Sequence, residues 1–271
     1  MTILTTRFAG TIAACLMFLG MPAMAEIELK DGSTISESPT FIVTYIEVGA
    51  DQSDAALDLI KQQAADAKSH EGFVRFEALQ RLGQDNHFVV LEAWEDRAAR
   101  DHHAASDTTT AYRNALEPML YAPYDERPHV GLVAADMAAL PEGTAETIYV
   151  VTHADIIPPE QFAPCDRQID PAGPCGNEML VGLAEFSRKH DGNIRYDILT
   201  QNNRTNHMSV VEMWESLGAQ QTHQMHPEKK QFRNELAGIA PEGGVNPDAQ
   251  FTPNMLTGSL WDERLYTLVA N

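Results

Sequence analysis

The chain has 271 residues, 44% of them hydrophobic, which allows one large domain or two small ones. Nineteen Lys and Arg stand against 39 Asp and Glu, a formal charge of −20 at pH 7. Such an acidic surface disfavours nucleic acid and anionic lipid as partners, and no phosphate-binding glycine loop, nucleophile elbow or dinucleotide fingerprint is present.

The chain opens with MTILTTRFAGTIAACLMFLGMPAMA. Arg7, the apolar run after it and the small-x-small site Ala23-Met24-Ala25 predict a signal peptide over residues 1–25, hence a periplasmic or secreted protein. Ile12 to Cys15 also has the look of a lipidation box, but the residues after Cys15 stay apolar where a mature lipoprotein turns polar. No later stretch is apolar for the ~20 residues of a membrane helix, so no membrane contact is expected after cleavage. Cleavage removes Arg7 and no acid, leaving 18 basic against 39 acidic residues, a charge of −21.

TFIVTYIEV (40–48) is a strand by its β-branched and aromatic content. SDAALDLIKQQAADAKSH (53–70) is a helix, with Ser53 or Asp51 as N-cap and Gly72 just past its end. GFVRFEALQ (72–80) is a strand, Gly83–Asp85 make a turn, and HFVVLEAW (87–94) is the partner strand. Residues 96–120 are mostly a second helix, and HVGLVA (129–134) is a last strand. The order β-α-β-β-α-β is the ferredoxin-like arrangement of an α+β protein.

The unit occurs twice. A shift of 120 positions aligns residues 70–116 with 190–236 without a gap. Asn86-His87 returns as Asn206-His207, Glu92-x-Trp94-Glu95 as Glu212-x-Trp214-Glu215, and His103 as His223. TFIVTYIEV corresponds to TIYVVTHAD (147–155), and YDERPHVGLVA (124–134) to WDERLYTLVA (261–270). The domains are therefore 38–137 and 145–271. The second carries two extra loops: PEGGVNPDAQFTPN (241–254), and APCDRQIDPAGPCGN (163–177), whose Cys165 and Cys175 are expected to form a disulfide in an oxidising compartment. A metal or redox pair is the weaker alternative for these cysteines.

Helices cover only one face of such a sheet, so the two bare faces are expected to stack as an intramolecular pair. In the strand 73–79, Val74, Phe76 and Ala78 read as the helix side, and Phe73, Arg75, Glu77 and Leu79 as the inter-domain side. Arg75 and Glu92 are expected to meet across the hairpin, as are Arg195 and Glu212.

The pattern Gly-x-x-Arg-aromatic-acid-x-Leu, then Asn-His-x-x-Val-x-Glu-x-Trp-Glu, then Ala-x-x-x-His runs from Gly72 to His103 and from Gly192 to His223. It resembles the antibiotic biosynthesis monooxygenase family. The resemblance implies ferredoxin-like units paired into a dimeric α+β barrel, here supplied by the tandem copies, with a further homodimer still possible. It also implies one of the family's chemistries, which include cofactor-independent oxygenation of quinols and anthrones, and haem degradation. A haem-degrading member would carry an asparagine on its first strand. Neither FIVTYIEV nor TIYVVTHAD has one, so no cofactor is expected.

His103 and His223 are the candidate bases, since a neutral imidazole beside an apolar cavity can take a proton from a phenol or activated C–H. The alternative is a packing histidine on a helix face. Trp94 and Trp214 are candidate pocket walls or ordinary core. Tyr112 could orient substrate in the first copy only, because Phe232 stands at its counterpart. Arg113 and Arg233 could hold a substrate anion or serve structural ion pairs. Asn86-His87 and Asn206-His207 read as turn chemistry. His102, His103, His223 and His226 lack a carboxylate or cysteine set repeated at matching spacing, so no metal is expected. The expected partners are a small aromatic molecule and dioxygen. A non-catalytic periplasmic binding protein for an aromatic or apolar ligand, and a purely structural pseudo-dimer, are the competing readings.

Overall fold

A computed structural model describes residues 26–28, 34–155, 176–236 and 260–271. Residues 1–25, the Cys165/Cys175 loop and the 241–254 loop lie outside the described residues, and with them the signal-peptide and disulfide expectations. No helix among the described residues is long and apolar enough to cross a membrane.

A short ribbon, β1 (Glu26–Glu28) and β2 (Thr34–Ser36), precedes the first unit. That unit runs β3 (Thr40–Glu47), α1 (Ser53–Ala67), β4 (Phe73–Arg81), β5 (Gln84–Trp94), α2 (Arg97–Ala104), α3 (Asp107–Leu116) and β6 (Asp125–Val133). The second runs β7 (Ile148–Asp155), α4 (Gly176–Ser187), β8 (Asn193–Gln201), β9 (Arg204–Trp214), α5 (Leu217–Met225), α6 (Pro227–Leu236) and β10 (Leu260–Ala270). The order within each unit is the predicted one. The long second helix is instead two helices. Ser106 breaks it in the first unit, where its hydroxyl accepts from the Thr109 N–H at 3.2 Å and so caps α3. The predicted cap of α1 also differs: Ser53 donates its hydroxyl to the Asp85 carbonyl, and a short 3-10 turn over Ala50–Gln52 leads into the helix.

The eight long strands close into one barrel, in the order β10-β4-β5-β3-β6-β8-β9-β7. Each unit contributes four strands. The last strand of each pairs with the second strand of the other, β6 with β8 and β10 with β4. The predicted pairing of bare faces is therefore realised as a shared lumen with no free edge. Phe41, Val43, Leu79, Val89, Leu91, Tyr149, Val151, Leu199 and Val211 fill it. Two further cores lie between the sheet and the helices, around Ile42, Ile60, Phe76 and Trp94 in the first unit and Val150, Leu183, Tyr196 and Trp214 in the second.

Arg75 and Glu92 do not meet, nor do Arg195 and Glu212. The hairpin starts with Arg81 opposite Gln84, but an irregularity beside the turn puts Gln80 opposite Phe88 and Phe76 opposite Glu92. That shift is an odd number of residues, so it sends Glu92 to the helix side and leaves Arg75 facing the lumen. The second unit repeats it, with Tyr196 opposite Glu212. A bulge between Phe73 and Arg75 also exchanges their neighbours: Phe73 packs under the helices and Val74 toward the lumen. In the lumen Glu77 accepts from Arg75 at 2.9 Å, Arg195 at 2.9 Å and the Tyr149 hydroxyl at 2.8 Å, joining the units through one buried carboxylate.

Candidate functional site

The first-unit site lies between sheet and helices, not in the lumen. Trp94 ends β5, and Asp96 starts α2 by accepting from the Ala99 N–H at 2.8 Å. The helix turns back over the sheet because Gly72 lets it approach. Gly72 has φ +75°, and a Cβ there would stand 2.4 Å from the Ala99 Cβ. His103 then stacks on Trp94, ring centroids 4.5 Å apart and planes 27° apart.

His103 is 3% exposed. In this orientation of the Gln63 amide, its Nε2 accepts from the Gln63 nitrogen at 3.1 Å. Its Nδ1 then carries the proton and donates to His70 Nδ1 at 3.3 Å. Burial, with His70, Arg100 and Arg113 nearby, lowers its pKa to about 4, so it is neutral at pH 7. Glu92 lies 3.8 Å from Nε2 and accepts the Trp94 indole N–H at 2.9 Å. Burial raises its pKa, against the pull of the Trp94 bond and of Arg100 and Arg113. Burial also raises the pKa of Tyr112, which stays a phenol. Gln63, Glu92, His103, Thr109, Tyr112 and Tyr124 border a cavity of about 10 Å³, room for one water, whereas Trp94 lies behind His103 and does not line it. Arg113 borders it, pairs with Glu126 and lies 5.2 Å over the Tyr124 ring.

The second unit repeats the frame. His223 stacks on Trp214 at 4.5 Å and 29°, and Trp214 donates to Glu212 at 2.8 Å. Its interior differs. Lys229, at the counterpart of Thr109, is fully buried, with Nζ 3.4 Å from the Tyr196 hydroxyl, 3.7 Å from Glu263 and 3.9 Å from Glu212. The Tyr196, Phe232 and Trp261 rings surround it at 5.9, 5.9 and 5.5 Å. The lysine stem fills the space that Thr109 borders in the first unit. Burial, with Lys229 adding to it, lowers the His223 pKa to about 2. Burial raises Glu212 to about 7, against the attraction of Lys229. The phenol has changed walls: Tyr112 and Phe76 in the first unit correspond to Phe232 and Tyr196 in the second. A phenol is therefore present in both units, one on a helix and one on a strand. Arg233 lies away from this interior and donates to Gln224.

A larger cavity, about 490 Å³, opens at the barrel mouth. Sequence reasoning missed it. The repeated Asp-Glu-Arg of β6 and β10 places Asp125-Arg127 and Asp262-Arg264 on its rim as ion pairs of 2.6 and 2.5 Å. Arg127 also stacks on Tyr45 at 4.8 Å and donates to His153 Nδ1 at 2.8 Å. Below it, His129 donates to the Arg127 carbonyl at 2.7 Å and accepts from Ser209 at 3.1 Å. Burial lowers its pKa to about 3. Asn86-His87 and Asn206-His207 lie within β5 and β9 at this end of the barrel rather than in the turns. Asn86 donates to the Val48 carbonyl at 2.8 Å, and His87 lines the cavity. Two groups among the described residues have the reach to hold a cation: His153, Asp155 and His207, and His190, His226 and Glu228, with ligand atoms within 4.8 Å of one another in each.

The profile of the family described as "Antibiotic biosynthesis monooxygenase" matches residues 39–115 and 178–235. YcnE of Bacillus subtilis (strain 168), a candidate monooxygenase, is 26% identical over 81 residues, which is 30% of this chain and 85% of YcnE. A candidate monooxygenase from Fusobacterium nucleatum superposes with a TM-score of 0.64 at 13% identity, covering 87% of this chain and 94% of its own. An anthrone oxidase-like protein gives 0.54 at 10% identity, covering 86% of this chain and 92% of its own.

Proposed function

The chain belongs to the antibiotic biosynthesis monooxygenase family, and on that basis we propose that it oxygenates a small phenol, quinol or anthrone-like substrate, at the first unit only. The observation that carries this is the neutral His103, with its Nε2 turned to Gln63 and Glu92 around an enclosed polar cavity, set against a second unit whose counterpart space holds Lys229.

In the proposed reaction His103 Nε2 takes a proton from the activated C–H of the substrate. The Glu92 carboxylate, 3.8 Å away, steadies the imidazolium. The carbanion gives one electron to dioxygen. The radical pair joins as a peroxide anion, which takes the proton back from His103 to become a hydroperoxide, and this loses water to leave a carbonyl. Overall CH2 and O2 become C=O and H2O, and the substrate supplies all the electrons. Tyr112 would donate a hydrogen bond to the substrate oxygen, and Trp94, stacked on His103 outside the cavity lining, would hold the imidazole in place. A cavity of about 10 Å³ must open to admit the substrate. Tyr124, half-buried and shared between this cavity and the barrel mouth, is the wall proposed to move. The likeness to an anthrone oxidase-like protein supports a substrate of that class. The sequence of residues 1–25 supports an exported protein.

Incubation with anthrone under isotope-labelled dioxygen tests the reading. One labelled oxygen in the product, above the spontaneous rate, is expected. Unlabelled product or the spontaneous rate alone goes against it. The mouth cavity favours a second reading, in which the chain binds a small aromatic ligand without turnover, against Tyr45, Phe88 and Tyr266.

A further inference from the structure

Among the described residues, two clusters of histidine and carboxylate with the reach to hold a cation lie outside the first-unit pocket, and electrostatics separates them. In the first, at the mouth, the Arg127 guanidinium donates to His153 Nδ1 at 2.8 Å. That bond leaves the proton on the other ring nitrogen and sets a fixed positive charge beside the ligands, so the cluster suits no cation.

The second cluster is of a different kind. We propose that His190, His226 and Glu228 form a site for one divalent transition metal of the zinc class on the second unit, braced by His223. This is independent of the oxygenase reading. Two imidazole nitrogens and one carboxylate oxygen are a common zinc donor set that leaves a fourth position open. The three ligand atoms lie within 4.8 Å of one another. A tetrahedral zinc with bonds of roughly 2.0–2.2 Å needs them closer by about 1 Å. Glu228 is half-exposed in the first turn of α6 and free to swing inward, and its carboxylate already touches His226 Nδ1. The His190 and His226 rings lie 3.7 Å apart at 33°.

His190 has the support a metal-bound histidine usually has. Its Nδ1 lies 2.7 Å from His223 Nδ1. If His190 donates there, its Nε2 lone pair is left for a metal and its tautomer is set by a buried ring stacked on Trp214. Asp191 and Lys229 are the other charges near His190, and Lys229 is held by Glu212 and Glu263.

The duplication supplies a control. The first unit keeps His70 but has Ser106 and Thr108 where the second has His226 and Glu228. Ser106 caps its helix with its hydroxyl. At the same position His226 is a poorer cap, a departure from helix-start chemistry that a ligand role explains.

The test is zinc uptake by the untagged mature protein. It is dialysed against zinc chloride, its metal content is measured by mass spectrometry, and its affinity is read by competition with a chromophoric chelator. One zinc per chain is expected. The double variant His226→Ser/Glu228→Thr, which writes the first unit's residues into the second, should bind at least about tenfold more weakly. Glu228→Gln should also weaken binding while leaving His226 in place. His153→Ala/His207→Ala should bind as wild type does. No zinc on the wild type, full affinity in both Glu228 variants, or loss confined to the His153/His207 variant would overturn the proposal.

Discussion

His103 stays neutral because its surroundings penalise a positive charge: it is buried, and His70, Arg100 and Arg113 stand close by. Its folded pKa of about 4, and that of His223 at about 2, lie below the ordinary value of 6.5. As pH falls through 6.5 the unfolded chain takes up these protons first. The stability contributed by the two neutral rings is therefore complete above about pH 6.5 and is lost progressively toward pH 4 and below. The His103 share is on the order of 3 kcal/mol. The thermal midpoint should fall between about pH 6.5 and 4. The His103 imidazole should titrate near 4 by NMR, and a midpoint near 6.5 would contradict the burial argument. The His–Trp spacing was legible in the sequence because both copies write it. Lys229 was not, because it stands opposite Thr109 in a mismatched column, and only packing reveals that it fills a pocket. The phenol of the second unit was missed for the same reason: Tyr196 and Phe232 together restore what Phe76 and Tyr112 supply.

Among the elements, the turn from α1 to β4 and the start of α2 decide where His103 sits. Gly72 and Gly83 both have positive φ, +75° and +78°. Only Gly72 is also crowded, by Ala99; a Cβ on Gly83 meets nothing within 4 Å. Gly83→Ala should cost about 1 kcal/mol of backbone strain. Gly72→Ala adds a clash that pushes α2 away from the sheet and should cost roughly 2–4 kcal/mol, with loss of the His103–Trp94 stacking. Denaturant unfolding of the two variants measures the difference, and equal costs would contradict the role given to Gly72. Strand and helix order followed from apolar periodicity. The faces of β4 followed from alternation too, Phe73 and Val74 apart; the side of Glu92 on β5 did not, because the irregularity beside the Leu82–Gly83 turn shifts the register by an odd number. The split of the second helix was signalled by Ser106, a good N-cap, inside an otherwise helical run.

At the scale of the molecule, the duplication turns two open sheets into one closed barrel. Glu77 joins them, with Arg75 from its own unit and Arg195 and Tyr149 from the other. Glu77→Ala would leave two guanidinium groups without their shared carboxylate, and should cost about 3–5 kcal/mol. Because β6–β8 and β10–β4 pairing ties the units, it should lower a single unfolding transition; two separate transitions would show that the units fold independently. The pairing was legible from the bare sheet faces. The mouth cavity was not: its Asp-x-Arg pairs were visible as a repeat, but their convergence depends on barrel closure. Lys229, buried in the second unit, is the ground for proposing one working pocket, in the first unit, and that proposal is tested most directly by oxygen uptake with quinols and anthrones. Wild type is compared with folded His103→Ala and His223→Ala variants. The expected result is uptake by wild type and His223→Ala, with a loss of about 100-fold or more in His103→Ala. Uptake that survives His103→Ala, or that His223→Ala abolishes, would contradict it.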